Sequence, residues 1–319
     1  MYRRIHGTKD HSSVAASLWS LAQVYRAQGR LADSASLEEE SLAMLRRIHG
    51  TKDHSSVAIS LGSLARVYRA QGRLADSASL EEESLAMFRR IHGNQDHSSV
   101  AASLCSLAQV YLAQGRLADS ASLHEESLAM KRRIHGNKDH SSVAASLCSL
   151  AQVYRAQGRL ADSASLEEES LAMERRIHGN KDHSHVAVSL CSLAQAYRAQ
   201  GRLADSASLE EESLAMHRRI HGNKDHSNVA VSLRNLAQVY YDQGRLADSA
   251  SLLEESLAIL RRIPGNKGRR DVAVSLDLLA QVYSDLGRFD DLALLLEELL
   301  VIEGLHGNLA ANAERCDVL

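Results

Sequence analysis

Apolar residues fall at Val14, Leu18, Leu21, Ala22 and Tyr25, spaced as one face of an α-helix. Gly29 then stops the pattern, and a second helical pattern starts near Leu31. The stripe Ser34, Leu37, Ser41, Met44 and Ile48 has helical spacing and is expected to face the core. Asp10 and Ser12 are the expected N-caps of the first helix.

This helix-turn-helix pattern does not stay local. The turn glycine returns as Gly72, Gly115, Gly158, Gly201, Gly244 and Gly287, at an interval of 43 residues. A fixed interval of this size predicts a stack of similar units, each touching only its neighbours. The expected fold is all-α, a right-handed α-solenoid of seven 43-residue helix-turn-helix repeats. Residues 1–305 form one solenoid in this reading and residues 306–319 a C-terminal tail. MYRRIHG aligns with residues 44–50, so the chain starts mid-repeat and is expected to be a fragment of a longer array. In the last repeat Pro264, the single proline, and the basic loop 265–271 break the pattern, and the final helix is more apolar.

Differences between copies indicate which positions face outward. The place of Leu45 is taken by Phe88, Lys131, Glu174, His217 and Leu260, and so is expected on the surface. The run Glu38, Glu39 and Glu40 cannot share one helix face, and most of it is expected in water.

Composition narrows the functional classes. A net charge of -3 argues against nucleic acid as a partner. No apolar run is long enough to cross a membrane, and the N-terminus lacks a signal-peptide core, so a cytoplasmic protein without membrane contact is expected. Cys105, Cys148 and Cys191 recur one repeat apart; neighbouring packed helices lie about 10 Å apart, beyond disulfide reach, so with Cys316 they are expected as free thiols.

The pattern L-x-x-L-A-x-x-Y, the Q-G-R turn, the small residues early in the second helix and the D-H-x-x-V-A loop together resemble tetratricopeptide repeats. The longer interval and the DHSSVA segment are similar to the kinesin light chain type. The resemblance implies a protein-interaction scaffold or adaptor whose first helices line a concave groove. The residues it places there are Trp19, Ser20, Gln23, Arg26, Arg66, Arg69, Gln109, Gln152, Arg155, Gln195, Arg198, Arg234, Asn235 and Gln238. Amides suit a peptide backbone and guanidinium groups suit carboxylate or phosphate. The expected ligand is an extended, acidic or phosphorylated segment of a protein partner.

The chain also departs from that family. Its usual Asn-Asn pair is Trp19-Ser20, Gly62-Ser63 or Cys105-Ser106 here, and Asn235 alone matches. The Lys and Asn that clamp a C-terminal carboxylate in chaperone-binding relatives are missing too. Where a large aromatic is expected in the second helix stand Glu38, Glu81, His124, Glu167, Glu210, Leu253 and Leu296. An unpaired buried carboxylate is costly, so these side chains are expected to reach solvent or to loosen the packing.

Two further classes follow. An uncapped solenoid end predicts end-to-end self-association as a structural module. A chain begun mid-repeat predicts a non-autonomous part of a larger signalling or motor-associated protein. No cofactor is implied, and no P-loop, dinucleotide-binding glycines or nucleophile elbow points to an enzyme. The histidine pairs His6/His11, His49/His54, His92/His97, His135/His140, His178/His183 and His221/His226 offer two ligands per loop. Two leave a tetrahedral site half empty, and no carboxylate or thiol is expected to complete it, so no metal is predicted.

Overall fold

The computed structural model describes residues 10–302 apart from 94, 137, 180, 223 and 264–266. The expectations for the chain start, His6, Pro264, Cys316 and the tail 306–319 lie outside the described residues. The helices come in pairs: α1 (Ser12–Ala27) and α2 (Leu31–His49), α3 (Ser55–Ala70) and α4 (Leu74–His92), α5 (Ser98–Ala113) and α6 (Leu117–His135), α7 (Ser141–Ala156) and α8 (Leu160–His178). They continue with α9 (Ser184–Ala199) and α10 (Leu203–His221), α11 (Ser227–Asp242) and α12 (Leu246–Arg262), then α13 (Lys267–Asp285) and α14 (Phe289–Ile302). The array is all-α and comprises seven helix pairs among the described residues, as the interval predicts. The chain forms two compact units, Met1–Met173 and Glu174–Leu319.

Each turn follows from its sequence. Gly29 has φ +77°, the left-handed conformation that only glycine adopts without strain. It lets Arg30 N–H reach Tyr25 O at 2.9 Å and Gly29 N–H reach Arg26 O at 3.0 Å, which closes the helix end. The Arg30 guanidinium then lies 4.0 Å above the Tyr25 ring. The helix start differs from expectation. His11, not Asp10 or Ser12, caps α1: its Nδ1 accepts the Ser13 N–H at 3.1 Å. Asp10 is occupied elsewhere, in a two-pronged pair with Arg47 at 2.7 and 2.8 Å. His54, His97, His140, His183 and His226 cap the corresponding helices in the same way.

Within a pair the helices are locked by serines. Ser34 Oγ donates to Ala22 O and Ser41 Oγ to Ala15 O, each at 2.9 Å. Ser77, Ser84, Ser120 and Ser127 repeat these bonds at 2.7–2.8 Å. Small residues at all four places permit the close approach, and each buried hydroxyl is satisfied. Leu61 and Leu104 are wholly buried in the core of the first unit, and Leu233 and Leu276 in that of the second.

The position of Leu45 is a correction. Leu45, Phe88, Glu174, His217 and Leu260 are buried, because that face of the second helix packs on the next repeat rather than facing water. Two polar occupants have found partners there: Lys131 Nζ donates to Ser146 Oγ at 2.6 Å, and His217 Nδ1 lies 2.8 Å from Ser232 Oγ.

Glu39 and Glu40 are exposed, as expected of most of the glutamate run, but the expectation that Glu38 and its counterparts reach solvent is corrected, and each of the three positions has a separate task. Glu38, Glu81 and Glu210 are buried and do not reach solvent. Glu39 accepts the hydroxyl of Tyr68 from the next repeat at 2.7 Å, as Glu82 does from Tyr111. The third position bridges backward: Glu83 pairs with Arg46 and Glu126 with Arg89, both at 2.7 Å. Half-exposed pairs of this kind add little stability one by one. Their regular recurrence sets the register between neighbours.

Gly62 is helical, and a Cβ added to it would meet Glu81 Oε2 at 3.6 Å, an ordinary contact. Gly62→Ala is therefore expected to raise stability by about 1 kcal/mol through helix propensity. Chemical denaturation checks this; a loss would mean that the space above Gly62 is needed by the Glu81 carboxylate.

Candidate interaction surface

The first helices carry the candidate residues, and each unit presents them differently. In the first unit Trp19 is partly exposed (39%). Its indole Nε1–H donates to Ser63 Oγ at 3.0 Å, and Arg66 Nη2 donates to the same oxygen at 3.1 Å. One hydroxyl thus joins an aromatic of the first repeat to a cation of the second. Beside Trp19 lies an apolar cavity of about 360 Å³, lined by Ala15, Ala16, Leu45 and Ile59 and rimmed by His49 and His54. Ile59 is half exposed (53%).

Two further candidate cations of this unit, Arg26 and Arg69, donate to neutral partners. Arg26 Nη2 donates to Gln23 Oε1, and Arg69 Nη1 to Gln109 Oε1, both at 2.7 Å. Gln23 passes the contact inward, its Nε2 donating to Glu38 Oε1 at 2.7 Å. Burial pushes Glu38 and Glu81 up to about 7, against the pull of Gln23, Arg66 and Arg26 on Glu38 and of Arg66 and Arg69 on Glu81. Ser20 and Gln152 are exposed, and Arg155 is half-buried and engaged within the protein.

In the second unit the candidate cations are matched by carboxylates. Arg198 pairs with Asp242, and Arg234 with Asp271 at 3.3 Å. Gln195 is likewise engaged, while Asn235 and Gln238 are half-buried. Gln238 borders a small pocket with Tyr241, Leu253 and Leu278. Reading the sequence alone missed Ser63 and Ile59. An isoleucine where the other repeats have alanine or valine was the available signal. The hydroxyl bridge had none.

Cys105, Cys148 and Cys191 are free thiols at half-buried sites. Cys105 and Cys148 contact Ser127 and Ser170 at 3.0 and 3.1 Å. Burial and the adjacent Glu210 push the Cys191 thiol up to about 12, which suppresses thiolate chemistry. The five described histidine pairs stack face to face, with centroids 3.4–3.6 Å apart. Burial and the neighbouring imidazole hold His49, His92, His135 and His221 below the usual range. One expectation about these loops is overturned: a carboxylate does stand beside a pair, with Glu174 Oε2 3.1 Å from His178 Nε2.

Helix pairs joined by a glycine turn, locked by small residues and repeated at fixed register, are matched by a known sequence pattern. The tetratricopeptide repeat profile fits residues 13–90, 99–176, 185–262 and 228–300. The chain belongs to the tetratricopeptide repeat family. This tetratricopeptide array is similar to the nearly identical TPR-like repeats of a kinesin-light-chain-like protein from Podosopora anserina. The two are 27% identical over 67% of this chain and 100% of that one, with a TM-score of 0.58. BtubC (BKLC) from P. vanneervenii shares the fold at 20% identity, over 74% of this chain and 92% of that one, with a TM-score of 0.60. A Rap protein complexed with competence and sporulation factor shares it at 11% identity, over 90% and 74%, with a TM-score of 0.62. No curated protein matches the array. Its repeats are of a scaffold type that serves protein–protein interaction, and they resemble those of the kinesin light chain. Among the described residues no helix is long and apolar enough to cross a membrane. On α1 Val24 (50%) is exposed, and so is Leu21 (42%), which the spacing had placed on the apolar face.

Proposed function

We propose that the array is an adaptor that takes an extended peptide segment on the first-helix face of its first unit. The carrying observation is the Trp19–Ser63–Arg66 bridge beside the Ile59-lined cavity. It puts an apolar recess next to a guanidinium group. A ligand with a bulky apolar residue close to an Asp, Glu or phosphorylated residue fits both. Arg26, Arg66 and Arg69 hold only neutral hydrogen-bond partners, so each retains charge to offer. The carboxylates of Asp242 and Asp271 already occupy Arg198 and Arg234, which favours the first unit over the second.

Selection from a random peptide library tests the reading. Peptides that pair an aromatic or Leu with an acidic residue should be enriched on the wild type. Trp19→Ala should weaken such a peptide by more than about tenfold, the scale of an aromatic anchor. Arg66→Glu should weaken it by a similar factor and make binding less dependent on salt. Enriched peptides bound equally by both variants would move the site elsewhere on the molecule.

A further inference from the structure

One histidine loop differs from the rest in two places. The helix α8 position occupied by Leu45, Phe88, Lys131, His217 and Leu260 in other repeats is Glu174. In the first turn of α9, where other repeats have Ser13, Ser56, Ser99, Ser142, Asn228 or Asp271, stands His185. The two changes sit on either side of the His178/His183 pair. Glu174 and His178 are four residues apart on α8 and so share a face.

The geometry gathers all four side chains. His178 and His183 stack with centroids 3.4 Å apart, and His185 stands edge-on to them at 5.7 and 4.9 Å. One nitrogen from each of the three rings lies within 4.8 Å of the others. Glu174 Oε2 is 3.1 Å from His178 Nε2 and 3.8 Å from His185 Nδ1. His183 Nδ1 accepts the His185 N–H at 3.2 Å, which orients the ring and leaves Nε2 for a ligand.

The cluster is also short of partners. Glu174 Oε2 and His178 Nε2 are buried, and despite their proximity neither makes a hydrogen bond. Two comparable loops avoid this. His49 Nε2 lies 3.2 Å from Ser56 Oγ, and His135 Nε2 lies 3.1 Å from Ser142 Oγ. Replacing that serine with His185 removes the hydroxyl and adds another ring nitrogen. A buried carboxylate oxygen and a buried imidazole nitrogen that make no hydrogen bond are costly as they stand. A cation between them would satisfy both.

We propose that Glu174, His178, His183 and His185 form a binding site for a divalent transition metal. Three imidazole nitrogens and one carboxylate oxygen are the donor set of a closed tetrahedral zinc site. They suit Zn²⁺ or Co²⁺ and not Ca²⁺ or Mg²⁺, which take all-oxygen shells. Bonds of about 2.0–2.1 Å require donors a little over 3 Å apart, so the rings must close in and tilt out of their stack. The positive end of the α9 dipole opposes a cation, and the Glu174 charge offsets it. Bound metal would tie the end of α8 to the start of α9, linking successive repeats.

The test uses the full chain without an affinity tag, stripped by a chelator and titrated with Zn²⁺ by calorimetry and with Co²⁺ by visible absorption. The expected result is one site per chain, a tetrahedral Co²⁺ spectrum and a Zn²⁺-dependent rise in Tm. His185→Ser and Glu174→Leu put back residues that other repeats carry at these places, so folding should persist. Circular dichroism without metal confirms it. Each should weaken Zn²⁺ binding by about 100-fold or more, since losing a ligand costs at least as much as losing an outer partner. Each should also abolish the Tm rise. His92→Gln, in a loop with only the pair, should change neither. The proposal is overturned if the wild type binds no metal, if both variants bind as tightly as it does, or if several equivalents bind and follow the number of histidine pairs.

Discussion

Glu81→Gln is expected to stabilise the protein by up to about 3 kcal/mol at pH 8.5 and by less than about 1 kcal/mol at pH 5. Glu81 is buried and its carboxyl is pushed up to about 7 by burial, from an ordinary 4.5. An acid whose pKa is raised on folding favours the native state while it is protonated. That advantage is complete below the unfolded value of 4.5 and is lost as pH rises through 7. Above pH 7 the buried group must ionise, and the difference between the two values, at about 1.4 kcal/mol per pH unit, sets the cost. Glutamine keeps the shape and removes the charge. Glu38 and Glu210 are also pushed up to about 7, and Glu167 is raised. The wild type should therefore gain about 0.8 kcal/mol from each of Glu38, Glu81 and Glu210 between pH 8.5 and 6.5. Below pH 6.5 the buried His124, held down at about 4, acts with the opposite sign. The difference between Glu81→Gln and wild type isolates the one group. Denaturant titrations at both pH values measure it, and a difference independent of pH would show that Glu81 is ionised throughout.

These carboxylates mark where the sequence stopped being legible. The interval, the helix pairs and the turn glycines could be read because each depends on local chemistry repeated along the chain. Gly29 is an example: its φ of +77° is a property of a single turn. The burial of Glu38 could not be read, because a polar residue in a helix normally argues for a surface position. The solution is non-local, a Gln23 amide fifteen residues earlier and a shifted protonation equilibrium. The Leu45 position failed for a related reason. Variation from Leu to Lys, Glu and His suggests exposure, yet polar occupants there can meet a serine of the next repeat, as Lys131 meets Ser146. At the candidate surface Trp19 was legible as a single aromatic among small residues. Its link to Arg66 through Ser63 depends on how adjacent repeats align, which the sequence does not state.

Leu104→Ala is expected to cost about 2–5 kcal/mol, the range for a buried leucine that leaves a cavity. Leu104 is wholly inaccessible on α5, in the core cluster of the first unit. The informative comparison is Tyr111→Phe, two turns further along the same helix. That change removes a single 2.7 Å bond from the tyrosine hydroxyl to Glu82 of the preceding repeat. Its cost should be near 1 kcal/mol, since one hydrogen bond is largely repaid by water on unfolding. The ordering tests what holds the stack together. If packing dominates, the leucine variant should shift the denaturation midpoint severalfold more than the tyrosine variant. Hydrogen exchange should show the loss concentrated in its own repeat and the repeats beside it, because stability in such arrays is a sum over units and their interfaces. If the tyrosine variant costs as much, the Tyr–Glu and Arg–Glu contacts between repeats act cooperatively, and the register they set is itself a main source of stability.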